Sequence, residues 1–155
     1  MPKEIERKFL TRSESWRTKV FRTVPIKQGY LSSVPARTVR VRIAGERGFL
    51  TVKGQPDGIT RPEFEYEVPV AEALAMIALC ERPVIEKTRY LVLEHGKTWE
   101  VDVFAGANAG LTVAEIELEA EGEAFVRPDW AGEEVSSDPR YFNSSLIALP
   151  YRDWS

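Results

Sequence analysis

Charged residues alternate with apolar residues along much of this chain, and this alternation restricts the fold more than any other feature. It begins at Glu4-Ile-Glu-Arg-Lys8, close to the N-terminus. Successive side chains of a β-strand point to opposite faces, so Glu4, Glu6 and Lys8 share one face of a predicted strand. The same spacing recurs at Arg40/Arg42, Thr51/Lys53, Glu63/Glu65/Glu67, Lys87/Arg89, Glu100/Asp102 and Glu115/Glu117/Glu119. The sequence therefore predicts a sheet with one charged face and one apolar face.

The order of strand and turn signals predicts that this sheet is antiparallel. Strand signals cover 3–10, 37–44, 49–53, 61–68, 84–93, 99–104 and 111–120, and a further strand begins at Lys27. Glycine-containing turns such as Gly45–Gly48 separate several of them. Helical spacing of Ala, Leu, Met and Ile predicts a helix over Pro69–Leu79. The tail is irregular, and we expect it to contain a short helix near Tyr141–Ala148.

About eight strands with short connections favour a sheet that closes on itself, because closure removes exposed strand edges. We therefore predict a mainly β (α+β) fold: an eight-stranded antiparallel closed β-barrel that forms a tunnel, with a few flanking helices. The chain of 155 residues has the length of one domain. We expect residues 1–155 to form a single domain.

The two signs of charge fall mostly on separate predicted strands. A charged strand face is most often a solvated face, and this holds for any one of the strands taken alone. Like charges two residues apart, about 6–7 Å from each other, repel mildly unless an opposite charge lies between the strands. The segregation therefore favours a polar chamber that binds a metal ion and a polyanion together. A lipocalin-like barrel with an apolar interior and the charges outside is a weaker alternative.

Glutamate, lysine and arginine suit phosphate chemistry assisted by a metal. Carboxylates are hard oxygen ligands that fit Mg²⁺ or Mn²⁺, and Lys and Arg bind phosphate oxygens and offset developing charge. A water oriented by a carboxylate or by the metal could attack a terminal phosphorus in line. The sequence contains no Walker loop, no Cys/His zinc cluster and no serine nucleophile elbow, so those reaction classes are not supported.

The composition restricts the binding partners and the cellular compartment that we expect. A net charge of −3 argues against nucleic acid or an anionic membrane as a partner. No stretch approaches the ~18 apolar residues of a membrane span, and no secretory signal is evident. The single cysteine, Cys80, fits a reducing cytoplasm. We expect a cytoplasmic protein, a monomer or homodimer, whose partner is a small molecule.

The charged motifs, taken in order, resemble those of the CYTH superfamily, the triphosphate tunnel metalloenzymes, in their short bacterial form. The resemblance covers nearly the whole chain and rests on these segments: Glu4-x-Glu-x-Lys8, Gln28–Leu31, Val39–Arg42, Leu50–Gly54, Arg61–Glu67, Glu86–Tyr90, Trp99–Phe104 and Ala114–Leu118. It implies an eight-stranded antiparallel barrel whose tunnel binds triphosphate with a divalent metal.

The resemblance also implies roles for individual residues. The metal ligands would be Glu4, Glu6, Glu115 and Glu117. Glu63 and Glu65 would serve a second metal or orient water. The phosphate chain would be gripped by Lys8, Arg40, Arg42, Lys53, Lys87 and Arg89. Of all these, the residues expected to act directly in catalysis are Lys8, Arg40, Arg42, Glu63 and Glu65.

Five further positions stay open between two interpretations each. Asp102 and Glu119 would either join the acidic set or pair with a basic neighbour in the tunnel. The tail segment Ser137–Leu146 resembles a C-terminal helix that plugs one tunnel end. Within it, Arg140, Tyr141 and Asn143 are either plug contacts or residues at a helix start.

Three functions are compatible with these residues. The leading hypothesis is divalent-metal-dependent hydrolysis of inorganic tripolyphosphate to pyrophosphate and phosphate. A hydrolase or cyclase acting on an organic triphosphate, such as thiamine triphosphate or ATP, would need an aromatic shelf, for which Trp16, Phe21, Tyr30 and Trp130 are available unless they pack around the barrel. The third possibility is a polyphosphate-binding module without turnover.

Overall fold

The computed structural model describes residues 2–154 and contains nine strands and two short α-helices. The strands are β1 (Lys3–Thr11), β2 (Val20–Ser32), β3 (Arg37–Ala44), β4 (Arg47–Gly54), β5 (Thr60–Val68), β6 (Ile85–Glu94), β7 (Lys97–Phe104), β8 (Thr112–Glu117) and β9 (Ala131–Glu134). The helices are α1 (Val70–Ile77) and α2 (Ser145–Ala148). Single 3-10 turns lie at Ser15–Lys19, Gly106–Asn108, Pro139–Tyr141 and Tyr151–Asp153. Among the helices so described, none is long and apolar enough to cross a bilayer.

Eight of these strands form a closed antiparallel barrel in the order β1-β5-β4-β3-β2-β6-β7-β8, which returns to β1. Closure depends on β1, whose first residues pair with β5 through Lys3↔Pro62, Glu4↔Arg61 and Ile5↔Thr60. The later residues of β1 pair with β8 on the other side, from Glu6↔Glu117 to Leu10↔Val113. The predicted barrel class and strand number are therefore confirmed.

The structure differs from the predicted elements in four respects. Strand β2 begins at Val20 rather than Lys27, although Pro25 within it has no backbone N–H to donate. Strand β8 ends at Glu117, short of the predicted Ala120. The tail contains strand β9, which was not predicted and which pairs with β1 beyond the stretch that β5 occupies. The predicted short helix near Tyr141–Ala148 is reduced to α2 after a separate 3-10 turn.

The apolar faces of β1, β6, β7 and β8 pack outside the barrel. Their core includes Phe9 and Trp99, whose rings meet edge to face at 5.6 Å between centroids. Trp16 from the first 3-10 turn and Trp130 from the segment before β9 are fully or almost fully buried in the same cluster. Because the apolar strand faces are covered on the outside of the barrel, the charged strand faces point into its interior.

Helix α1 covers the outer surface of β2, β3 and β4. Ala73 and Ile77 are buried against Val41, and Cys80 completes the cluster. Cys80 is free and 6% exposed, so it packs as a small apolar residue. Gly48 permits this approach, because a Cβ there would lie 2.9 Å from the Ala73 Cβ and 2.9 Å from the Val68 carbonyl oxygen.

We expect Gly48→Ala to lower the free energy of unfolding by about 1–3 kcal/mol, because the added methyl group overpacks the contact between α1 and β4. The backbone carbonyl of Val68 lies too close to be relieved by a change of rotamer. Urea denaturation measures the effect. Gly122→Ala is the matched control, since a Cβ at Gly122 meets nothing within 4 Å. An unchanged stability of Gly48→Ala would contradict the packing argument.

The C-terminal segment closes one end of the barrel interior. Ile85, Phe104 and Val113 continue the inward-facing rows of β6, β7 and β8, and they form a buried apolar cluster with Leu146 and Ile147 of α2. Leu146 is fully buried. The interior beyond this cluster is lined by the charged rows that the sequence singles out.

Candidate active site

The barrel interior is a cavity of about 220 Å³ lined mainly by charged side chains. Its acidic residues are Glu4, Glu6, Glu63, Glu65, Glu100, Glu115 and Glu117. Its basic residues are Lys8, Arg40, Arg42, Lys53, Arg61, Lys87 and Arg89. All twelve residues predicted for the site line this cavity, which the alternation of strand faces accounts for. A lipocalin-like apolar interior is therefore wrong for this chain.

Two lysines lie between the carboxylates contributed by β1, β5 and β8. Lys53 Nζ is 2.7 Å from Glu4 and 3.4 Å from Glu63. Lys8 Nζ is 3.7 Å from Glu115 and 3.9 Å from Glu6. This arrangement separates the like charges of the carboxylates while keeping all of them inside one chamber.

Two of these carboxylates have a raised pKa, with burial as the main cause. Burial raises the pKa of Glu4 against the opposing charge of Lys53, and the neighbouring Glu63 also raises it. Burial also raises the pKa of Glu117, with added repulsion from Glu4 and Glu6. Carboxylates whose negative charge is disfavoured by burial and by neighbouring carboxylates make a region that gains from a bound cation.

The donor chemistry of this region fits a divalent metal ion. Glutamate oxygens are the ligands that Mg²⁺ and Mn²⁺ prefer, and the predicted ligands Glu4, Glu6, Glu115 and Glu117 line the same cavity. With the side chains turned toward lysines, no three His, Cys, Asp or Glu side chains within residues 2–154 converge closely enough to hold a metal. Their assignment as ligands stays a prediction.

The basic residues of β3 contribute positive charge that is only partly compensated. Arg42 Nε donates to the uncharged Gln28 Oε1 at 2.8 Å, and Arg42 has no carboxylate within 4.0 Å in the described part of the chain. Burial lowers the pKa of Arg42 to about 9, with repulsion from Arg40 and Arg89 adding to the effect. Arg40 Nη2 contacts Glu65 at 3.3 Å, while Arg40 Nε is buried and lacks a hydrogen-bond partner among residues 2–154. These guanidinium groups form a site that would favour an anion.

Asp102 fixes the two basic residues of β6. Its carboxylate accepts from Arg89 Nε and Nη2 at 2.8 and 3.0 Å and lies 2.7 Å from Lys87 Nζ. The charges of Arg89 and Lys87 hold the pKa of Asp102 well below its usual range, although burial opposes them. Burial lowers the pKa of Lys87 to about 7, and Arg89 and Arg42 contribute in the same direction. Asp102 thus takes the second of its two predicted roles, while Glu119 is exposed and lies outside the cavity.

The C-terminal segment contributes Phe142, Asn143 and Ser144 to the lining of the cavity. Asn143 Oδ1 accepts from Lys87 Nζ at 2.9 Å, so Asn143 is a contact of the plug. Arg140 instead pairs with Asp138 on the surface, and the ring of Tyr141 packs edge to face on Trp154. Of the three tail residues considered from the sequence, one therefore reaches the tunnel.

Several lining residues were not predicted as part of the site. The uncharged ones include Tyr30, Thr38 and Ser144, and the charged ones are Arg61 and Glu100. Glu100 was already in phase with Asp102, and burial together with Glu115 raises its pKa to about 7 against the opposing charge of Arg89. On β2, Tyr30 lies two residues beyond Gln28, whose side chain contacts Arg42, so the spacing of two was the signal that would have found Tyr30.

Aromatic side chains make a small part of the cavity wall. Trp16 and Trp130 are buried in the outer core, and Phe21 is 58% exposed. Tyr30 and Phe142 do line the cavity, and the Phe142 ring centroid lies 5.4 Å from Lys8 Nζ. Of the four aromatics considered as a shelf, only Tyr30 lines the cavity that the structure describes.

Comparisons with known proteins show which family this chain resembles in sequence and structure. The CYTH domain profile matches residues 2–148. An inorganic triphosphatase of Acetivibrio thermocellus is 48% identical over 155 residues, which cover 99% of each chain. An inorganic triphosphatase of Nitrosomonas europaea is 37% identical over 152 residues, covering 95% of this chain and 99% of the relative. The crystal structure of the inorganic triphosphatase NE1496 is 35% identical, covers 95% of each chain and superposes with a TM-score of 0.64.

Proposed function

This chain belongs to the CYTH domain family, and from that premise we propose that it is an inorganic triphosphatase. It cleaves tripolyphosphate to pyrophosphate and phosphate inside the barrel and depends on a divalent cation, for which we propose Mg²⁺ or Mn²⁺. Both relatives described above carry the name inorganic triphosphatase and match this chain over nearly their full lengths.

The observation that carries the proposal is the arrangement of charge in the cavity. Arg42 has a neutral hydrogen-bond partner, and Lys87 pairs with Asp102 beside a second neutral partner, Asn143. The carboxylates that crowd one another come instead from β1, β5 and β8. A polyanion would satisfy the first group, and a divalent cation would satisfy the second.

We assign a role in the reaction to each of the charged residues of the cavity. Glu4, Glu6, Glu115 and Glu117 would hold the cation, and Glu63 and Glu65 would orient the attacking water or hold a second cation. A cation held there supplies Lewis-acid polarisation of phosphate oxygens. Lys8, Arg40, Arg42, Lys53, Lys87 and Arg89 would grip the phosphate chain. Their fixed positive charges would also stabilise the charge that develops as the terminal phosphoryl group is transferred.

The cavity favours a substrate without an organic head group. The two aromatic rings in its wall, Tyr30 and Phe142, lie among charged residues, and the buried tryptophans face the outer core. The apolar cluster around Leu146 also closes one end of the interior, so a long chain could not pass through. Both features lead us to prefer tripolyphosphate over a nucleotide or thiamine triphosphate.

Phosphate release from tripolyphosphate, ATP and pyrophosphate, each with Mg²⁺ or Mn²⁺, tests the proposal. We expect rapid release from tripolyphosphate alone and its loss when EDTA removes the cation. Faster release from ATP would favour the organic-triphosphate alternative. No release from any substrate, with tripolyphosphate still raising the melting temperature, would identify a binding module instead.

A further inference from the structure

Two uncharged side chains connect cations that lie on different strands. Gln28, fully buried on β2, accepts from Arg42 Nε at 2.8 Å through its Oε1. Its Nε2 donates to Asn143 Oδ1 at 3.1 Å. The same Asn143 oxygen accepts from Lys87 Nζ at 2.9 Å. The two carboxamides thus form a continuous bridge from Arg42 to Lys87.

The cations themselves fix the orientation of both amides. Arg and Lys can only donate hydrogen bonds, so the oxygen of each amide must face its cation. The Gln28 nitrogen is then left to donate, and its available acceptors are Asn143 Oδ1 and the Tyr30 hydroxyl, the latter at 3.3 Å. Both ends of the Gln28 amide are therefore used, and neither amide can turn over without setting a nitrogen against a cation.

The absence of charge on the bridge matters because the cations around it repel one another. After burial, which is the larger cause, Arg40 and Arg89 lower the pKa of Arg42. Burial likewise lowers the pKa of Lys87, and Arg89 and Arg42 lower it further against the opposing charge of Asp102. A carboxylate at either bridge position would relieve this repulsion and would also hold the cations. It would then compete with a bound phosphate for the same N–H groups.

We propose that Gln28 and Asn143 are positioning residues that hold Arg42 and Lys87 for the phosphate chain without neutralising them. This inference rests on the proposed function, because it assigns the bridge to the substrate-binding step of that reaction. It predicts that affinity for tripolyphosphate depends on the bridge being uncharged, and that the bridge acts on binding more than on turnover.

The isosteric variants Gln28→Glu and Asn143→Asp test this point directly. We expect each to raise the KM for tripolyphosphate about 10- to 100-fold, since a new charge within 3 Å of a cation competes with the substrate. We expect kcat to change much less, because the loss falls on uniform binding. Gln28→Leu, which removes the acceptor without adding charge, should raise KM less than Gln28→Glu. Thr23→Glu adds the same charge at an exposed site of β2 and should leave both constants unchanged.

The results of these experiments distinguish a failure of this inference from a failure of the proposed function. Wild-type KM in both Gln28→Glu and Asn143→Asp, or a fall in kcat alone, would overturn the positioning role. If Gln28→Glu does not fold, Asn143→Asp decides, because Asn143 is only partly buried. If the wild-type protein hydrolyses nothing, the proposed function fails, and the melting-temperature rise caused by metal-free tripolyphosphate then tests the bridge. That rise should be smaller in both isosteric variants than in the wild type, and equal rises would overturn the inference.

Discussion

We expect Glu115→Gln and Glu117→Gln each to lower the rate of metal-dependent tripolyphosphate hydrolysis about 10²- to 10³-fold, the loss typical of removing one electrostatic contact from an active site. Each substitution keeps the shape of the side chain and removes one negative charge from the acidic part of the tunnel. Binding of metal-free tripolyphosphate should stay equal or become tighter, because a carboxylate that repels the anion is gone. Steady-state phosphate release measures the first effect, and calorimetric titration measures the second.

Glu119→Gln is the matched control for these two variants. Glu119 continues the same spacing of two beyond the end of β8, but it is exposed and lies outside the cavity. Its substitution should leave hydrolysis unchanged. The two test variants also differ usefully, because Glu115 lies 3.7 Å from Lys8 Nζ whereas Glu117 makes no ion pair within the described residues. Normal hydrolysis by both variants would refute the metal-ligand assignment and favour other carboxylates in the tunnel.

The composition of the tunnel wall could be predicted from the sequence because a strand fixes the direction of its side chains. Once Glu4, Glu6 and Lys8 are placed on one face, closure of the sheet brings every charged row to the same side. The apolar partners, such as Ile5 and Phe9, then have to be covered from outside, and Trp16, α1 and the segment before β9 cover them. The alternation of charged and apolar residues thus predicted both the barrel and its lining.

Contacts between distant segments could not be predicted in the same way. Gln28 and Asn143 are 115 residues apart, and no local spacing connects them. Strand β9 also lacks a signal in the local sequence, since it has only four residues and includes Gly132. It pairs with the stretch of β1 that β5 leaves free. Charge segregation indicated that anions and cations would meet inside the tunnel, but the ion pairs themselves required the register of the closed sheet.

Asp102→Leu should be the most destabilising single substitution in the tunnel, lowering the free energy of unfolding by about 3–5 kcal/mol, as expected when one partner of a buried ion pair is removed. Asp102 is fully buried and is bonded to both Lys87 and Arg89. Its loss leaves Lys87 without an ion-pair partner among the described residues, and leaves Arg89 with Glu100 at 3.1 Å and Glu115 at 3.9 Å. Urea denaturation at neutral pH measures the effect. Glu67→Leu, which removes an exposed ion pair with Arg47, should change stability little.

The pH dependence of this difference has a definite sign. The pKa of Asp102 is lowered in the folded protein, so its stabilising contribution is fully present above the ordinary aspartate pKa of about 3.9. The stability difference between wild type and Asp102→Leu should therefore narrow as the pH falls below about 4. A difference that does not narrow there would mean that Asp102 is not the ionised partner of Lys87 and Arg89.

A polyanion should restore much of the lost stability, and this connects the energetics of the fold with its function. In Asp102→Asn, Lys87 and Arg89 have lost the carboxylate that they share but keep their places in β6, so an added anion can take its position. Because a ligand stabilises the state that binds it, metal-free tripolyphosphate should raise the melting temperature of Asp102→Asn more than that of the wild type. Equal rises would place the anion away from Lys87 and Arg89. A larger rise in the variant would show that Asp102 and the phosphate chain neutralise the same cations, so that the fold stability of the tunnel and its affinity for substrate oppose each other at this carboxylate.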